Sequence, residues 1–155
     1  MWKKIKPYVI SVLIAFAVGG LAALLTKDSM SMYEEISKPA LTPPGWIFPV
    51  AWGILYTLMG ISAAIVYINS RRKILGTGLG CYIVSLGFNF LWTIIFFNLK
   101  MFLLSFVWLV VLWLLIICTI SGYAKVSKKA AFLQIPYLLW VTFAGYLNFM
   151  IYTLN

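Results

Sequence analysis

The sequence predicts an all-α membrane protein, a five-transmembrane-helix bundle occupying residues 1–155 as a single domain. Three observations carry that expectation. Of the 155 residues, 64% are hydrophobic and 10% charged, with a mean hydropathy of +1.02, which is more apolar surface than a water-soluble fold of this length can hide. Five apolar stretches reach the roughly 20 residues that a helix needs to cross a hydrocarbon layer about 30 Å thick. The charges gather between those stretches, where lipid headgroups and water can solvate them.

The spans are expected at residues 7–26, 46–69, 74–98, 101–123 and 130–154. The first reads as a true span and not a cleaved signal peptide, because its apolar run has full crossing length and no cleavage site follows. The second follows the run LTPPGW, in which Thr42 is placed to cap the helix and Pro43 and Pro44 suit its first turn, having no amide hydrogen to leave unpaired. The third opens on GTGLG (Gly76 to Gly80), which is no nucleotide loop: it starts a membrane helix, and no Lys follows at the required place. The fourth, MFLLSFVWLVVLWLLIIC, is bulky on all sides and is expected to face lipid over much of its surface. Small residues at Ala15, Gly19 and Ala23 in the first span, and Gly76 and Gly80 at the start of the third, suit close helix contact within a protomer or across a dimer.

Charge sets the expected topology. Lys3, Lys4, Lys6, Arg71, Arg72, Lys73, Lys125, Lys128 and Lys129 lie on one side, whereas Lys27, Lys38 and Lys100 share the other with Asp28, Glu34 and Glu35. The positive-inside rule then puts the N-terminus in the cytoplasm and the C-terminus outside, for a protein of a bacterial cell membrane. The net charge of +9 is too dispersed for a nucleic-acid surface and is better matched to anionic lipids.

Several function classes fall away. No acid or base is left at the membrane midplane, which argues against proton pumps and charge-coupled transporters, and five crossings do not divide into equal inverted repeats. There is no histidine, which removes the commonest general base and haem ligand. Cys81 and Cys118 sit in apolar segments without metal-ligand spacing, so they are expected to be inert buried thiols, with neither a disulfide nor a metal site. No nucleophile with a base, carboxylate pair or phosphate cradle can be assembled.

What remains is a set of aromatic stripes. The second span carries Phe48, Trp52, Tyr56 and Met59 on one face; the third carries Ser85, Asn89, Trp92 and Phe96; the fifth carries Pro136, Trp140, Ala144, Leu147 and Asn148. Two readings fit: the stripes pack helix against helix, with the two asparagines bonding across, or they wall a pocket for a flat apolar ligand with few polar contacts. The long connection at residues 27–45 is likewise either a stiff connector or a lid over such a pocket.

Three runs resemble the translocator protein family (TspO/MBR), also known as the tryptophan-rich sensory protein or peripheral benzodiazepine receptor family: KPALTPPGWIFPVAWGILYTLMG (Lys38 to Gly60), LGFNFLWTIIFF (Leu86 to Phe97) and PYLLWVTFAGYLNFMIYTLN (Pro136 to Asn155). The resemblance covers nearly the whole chain. It implies a five-helix bundle, commonly a homodimer, with a cavity under the first loop that takes protoporphyrin IX or related tetrapyrroles and drugs of the isoquinoline carboxamide and benzodiazepine types. Carried over, the cavity residues are Tyr33, Pro43, Trp52, Asn89, Trp92, Trp140, Ala144 and Leu147. It also raises light- and oxygen-dependent porphyrin breakdown, for which Trp52 and Trp140 would be the reactive rings, and a structural or partner-regulating role stands as a further alternative. One departure matters: the aromatic residues at the end of the fifth span are followed by no Lys or Arg, so the animal cholesterol pattern is incomplete.

Overall fold

The structure, a computed structural model, describes residues 1–72 and 77–155. Lys73 and the expected start of the third span at 74–76, including Gly76, lie outside the described residues.

Five helical segments are long and apolar enough to cross a membrane. Helix α1 (Trp2–Thr26) continues through a 3-10 turn (Lys27–Ser29) into α2 (Met30–Glu35). No Gly or Pro interrupts residues 21–36, so the helix runs on into what hydropathy alone reads as loop. Helix α3 (Ile47–Asn69) starts later than a cap at Thr42 would allow. The Thr42 amide instead donates to the Pro39 carbonyl at 3.0 Å, and the Ile47 amide to the Pro44 carbonyl at 3.0 Å, so both prolines sit in consecutive turns ahead of the helix.

Helix α4 (Leu79–Thr93) ends in a π turn (Ile94–Asn98), and α5 (Phe102–Ala124) follows. The last span is broken into α6 (Lys128–Leu133) and α7 (Ile135–Leu154). Pro136 explains the break, because it has no amide hydrogen and its ring crowds the carbonyl of Phe132 one turn back.

The helices close into a ring: α1 packs along α3 and against α4, α4 lies on α5, α5 lies on α6 and α7, and α6 returns to α3. Helices α3 and α7 touch only sparsely, so the bundle splays between them. Away from the 36–46 loop the packing is tight. A Cβ on Gly60 would stand 2.5 Å from the Val12 Cα, and one on Gly122 would stand 2.5 Å from the Gly78 Cα. Gly78 has φ +84°, so both its backbone and its neighbours exclude a side chain. The Ser62 hydroxyl donates to the Ala130 carbonyl at 2.7 Å, tying α3 to α6.

Helix α5 faces outward over much of its surface, as its uniform hydrophobicity suggested, and buries one stripe. Ser105, Leu109, Leu112, Ile116, Thr119 and Tyr123 are buried at spacings of three and four, while Leu103, Val107, Val110 and Leu114 face outward. The expectation of two inert thiols is corrected: Cys81 and Cys118 are joined in a disulfide between α4 and α5, with Cα atoms 6.1 Å apart. The side-by-side course of the two helices brings these residues within reach, and their separation of 37 positions carries no spacing signal.

Candidate functional site

Where α3 and α7 diverge, the bundle encloses a cavity of about 640 Å³. It runs from Lys27, Lys38 and Pro43 at the loop end to Gly19, Tyr56 and Asn89 in the interior. Its size falls in the usual range for sites that hold drug-sized ligands, roughly 300–1,000 Å³.

The floor is built around Tyr56. A Cβ at Gly19 would overlap the Tyr56 ring, so only glycine on α1 leaves room for that ring between the helices. The Asn89 amide donates to the Tyr56 hydroxyl at 3.3 Å, which gives two buried polar groups of different spans a shared partner. Trp52 stacks on Tyr56 with centroids 5.4 Å apart and planes 27° from parallel. Both lie one turn apart on α3, as residues four positions apart do.

One wall comes from the end of α4. Trp92 donates from Nε1 to Asn148 Oδ1 at 3.1 Å. The same oxygen accepts from Ser105 at 2.9 Å, and the Asn148 amide donates to the Phe102 carbonyl at 2.8 Å. Asn148 thus locks α4, α5 and α7 together and holds the Trp92 indole in place. The π turn then presents two consecutive residues, Phe96 and Phe97, to one neighbour: their centroids lie 6.3 and 5.7 Å from Tyr33.

Tyr33, on α2, roofs the cavity, with Phe48 edge-on at 6.2 Å and the Lys38 ammonium 4.9 Å from its ring centroid. Lys38 donates to the carbonyls of Tyr33, Glu34 and Ile36, so its charge closes the end of α2. The loop is then tied to other helices. Asn155 accepts from the Ser37 amide at 3.1 Å and donates to the Ser37 carbonyl at 2.9 Å. Asn98 donates to the Leu25 carbonyl at 3.1 Å and accepts from the Ser29 hydroxyl at 2.6 Å.

Of the residues singled out in the sequence, Tyr33, Pro43, Phe48, Trp52, Tyr56, Asn89, Trp92, Phe96, Ala144, Leu147 and Asn148 line this cavity. Trp140 does not. It stands behind the wall, edge-on to Phe48 at 6.0 Å and Trp52 at 6.4 Å, and supports their rings. Met59 turns into the tightly packed half, with 0% exposure, and the Ser85 hydroxyl bonds the Tyr82 carbonyl of its own helix. The stripes overlooked α1, which contributes Gly19, Ala22, Ala23 and Thr26. The small-residue pattern Ala15, Gly19, Ala23 marked that face, and two of its members prove to border the hollow as well as permit packing.

The chemistry available is narrow. The charged side chains on the lining are Lys27, Glu34 and Lys38, all toward the mouth, and the interior offers hydroxyl, amide and indole groups only. Among the described residues no group of three or more His, Cys, Asp or Glu side chains is placed to hold a metal. Such a site can bind and orient an apolar body, with a few hydrogen bonds to fix its direction.

Comparison with known proteins agrees with this architecture. Residues 11–154 match the model of the TspO/MBR family. The tryptophan-rich protein TspO of Chlorobaculum tepidum is 35% identical, over 100% of this chain and 99% of the relative. That of Archaeoglobus fulgidus is 39% identical over 95% of each, and the translocator protein of Bos taurus is 31% identical over 88% of this chain and 83% of its own length. With full-length similarity, five apolar spans and a matching family model, this integral membrane protein belongs to the TspO/MBR family.

Proposed function

We propose that the protein binds flat hydrophobic ligands, protoporphyrin IX and related tetrapyrroles foremost, and acts with them as a membrane sensor, carrier or scavenger. The observation that carries this reading is the cavity of about 640 Å³, with Tyr33, Phe48, Trp52, Trp92, Phe96 and Phe97 on its lining. Aromatic faces at several angles offer stacking and edge contacts to a planar ring system. The names of relatives, sensory in one case and translocator in another, are consistent with this role. Drugs of the isoquinoline carboxamide and benzodiazepine types fit the same description of shape and polarity. With no histidine in the chain, a free-base porphyrin held by stacking suits the site better than an axially ligated haem.

Titrating protoporphyrin IX into the detergent-solubilised protein and following Trp fluorescence tests the reading. Trp52→Phe combined with Trp92→Phe, both on the lining, is expected to weaken binding about tenfold, the loss of one to two good aromatic contacts. Unchanged affinity overturns the stacking arrangement.

A second reading, light- and oxygen-dependent breakdown of bound porphyrin, is favoured by one feature: the stacked Trp52 and Tyr56 rings put two oxidisable side chains together at the floor. Illumination of the complex should then bleach the Soret band faster than in the double Trp variant, and equal rates remove catalysis from the account. We further propose that the chain sits in the cell membrane with its N-terminus cytoplasmic and functions as a homodimer, which protease accessibility and cross-linking in vesicles would check.

A further inference from the structure

The charges around the cavity are distributed unevenly with depth, and that distribution has a chemical meaning. At the floor, Tyr56 and Asn89 are neutral and occupied with each other. At the mouth stand two cations and one anion, Lys27, Lys38 and Glu34. The two lysines are not equivalent. Lys38 spends its ammonium hydrogens on the carbonyls of Tyr33, Glu34 and Ile36, so it positions the loop and has no donor left for a guest. Lys27, at the junction of α1 with the 3-10 turn, lines the same cavity; its carbonyl accepts from the Met30 amide, and its ammonium makes no hydrogen bond or ion pair among the described residues. Its three donors are available to whatever fills the hollow.

We propose that Lys27 receives the acidic edge of a flat ligand bound in this cavity, so that among tetrapyrroles the free acid is preferred over its neutral ester. The inference rests on the tetrapyrrole reading above and gives it a direction: the apolar edge lies down against Trp52 and Tyr56, and the carboxylate edge points to the mouth. A reversed ligand would bring a carboxylate against the neutral floor, far from any cation, where desolvation is uncompensated. At the mouth the carboxylate keeps contact with water and gains a charge-assisted hydrogen bond. Glu34 opposes a second acid nearby and so limits how negative that edge is allowed to be.

Protoporphyrin IX and its dimethyl ester separate the contributions, because they share the ring and differ only in the acid. Binding of each is measured by Trp quenching on the full chain in one detergent, for the native protein, Lys27→Gln and Glu34→Gln. The native protein is expected to prefer the free acid, and Lys27→Gln to weaken the acid about three- to tenfold while leaving the ester unchanged. Glu34→Gln should strengthen the acid, and high salt should erode the preference. Equal effects of Lys27→Gln on acid and ester, or a salt-independent preference, overturn the assignment to Lys27 and leave the tetrapyrrole reading intact. Failure of both compounds to bind the native protein overturns the tetrapyrrole reading, and this inference falls with it. A melting curve of ligand-free Lys27→Gln completes the test: a loss of stability together with equal loss of both ligands assigns Lys27 to the end of α1 alone.

Discussion

The two ends of the bundle solve opposite problems with the same helices. Away from the long loop, glycine and serine bring backbones together: Gly60 meets Val12, Gly78 meets Gly122, and Ser62 bonds Ala130. Beneath the loop, aromatic rings stand between the helices and keep them apart around the cavity. In a membrane there is no hydrophobic gain in burying a leucine from lipid, so close packing and hydrogen bonds must hold the bundle. The tight half therefore supplies most of the cohesion, and the hollow half is free to present surface to a ligand. Glycine serves both halves by different means. At Gly60 it admits a backbone, and at Gly19 it admits the Tyr56 ring that floors the cavity.

The sharpest way to break this division is Gly60→Leu. The new side chain meets backbone on α1, which cannot rotate aside, and a loss of about 3 kcal/mol or more is expected. Gly53, on the same helix, has open space at its Cβ position, so Gly53→Leu should melt close to the native protein. Comparable thermal melts for the two variants would show that α1 and α3 do not depend on that contact.

Asn148→Ala comes next. It leaves the Trp92 indole without its acceptor, whereas the Ser105 hydroxyl and the Phe102 carbonyl keep each other at 2.9 Å, and the cost is about 1–2 kcal/mol. Because Trp92 is also on the cavity wall, ligand affinity should fall with the melting temperature. A fall in one without the other would separate the two roles that the structure joins.

Gly19→Ala should act on the hollow half alone. Its methyl group displaces the Tyr56 ring, so a several-fold loss of porphyrin affinity is expected by fluorescence titration, with a melting shift of a few degrees at most. If the melt shifts as far as that of Gly60→Leu, the ends are not independent. The smallest effect is expected from Asn155→Ala, which removes both hydrogen bonds to Ser37. Stopped-flow mixing should show ligand entering and leaving a few-fold faster, with a nearly unchanged Kd, if this contact holds the loop shut.

Much of this division can be traced to residues in order along the chain, and the parts that cannot are instructive. The stripe Phe48, Trp52, Tyr56 is legible because helical periodicity is local, and α3 is regular across it. Trp140 shares the rhythm of its own stripe but stands behind the wall, since the break at Gln134 and the sparse α3 to α7 contact set how α7 is turned. Phe97 is invisible to a pattern of threes and fours because the π turn adds a residue to the turn that carries it.

The sequence by itself determined that this chain crosses a membrane five times, which faces of three helices are aromatic, and where charge is tolerated, because hydropathy, periodicity and solvation of charge act over a turn or a span. Only the tertiary structure decided that the stripes enclose a hollow, that α1 supplies one side of it, that Cys81 meets Cys118, and that Asn155 reaches the Ser37 backbone. Those outcomes depend on how far apart two helices come to rest. That distance is fixed by pairs such as Gly60 with Val12 and Gly19 with Tyr56, whose members lie far apart in the chain and carry no mark of each other.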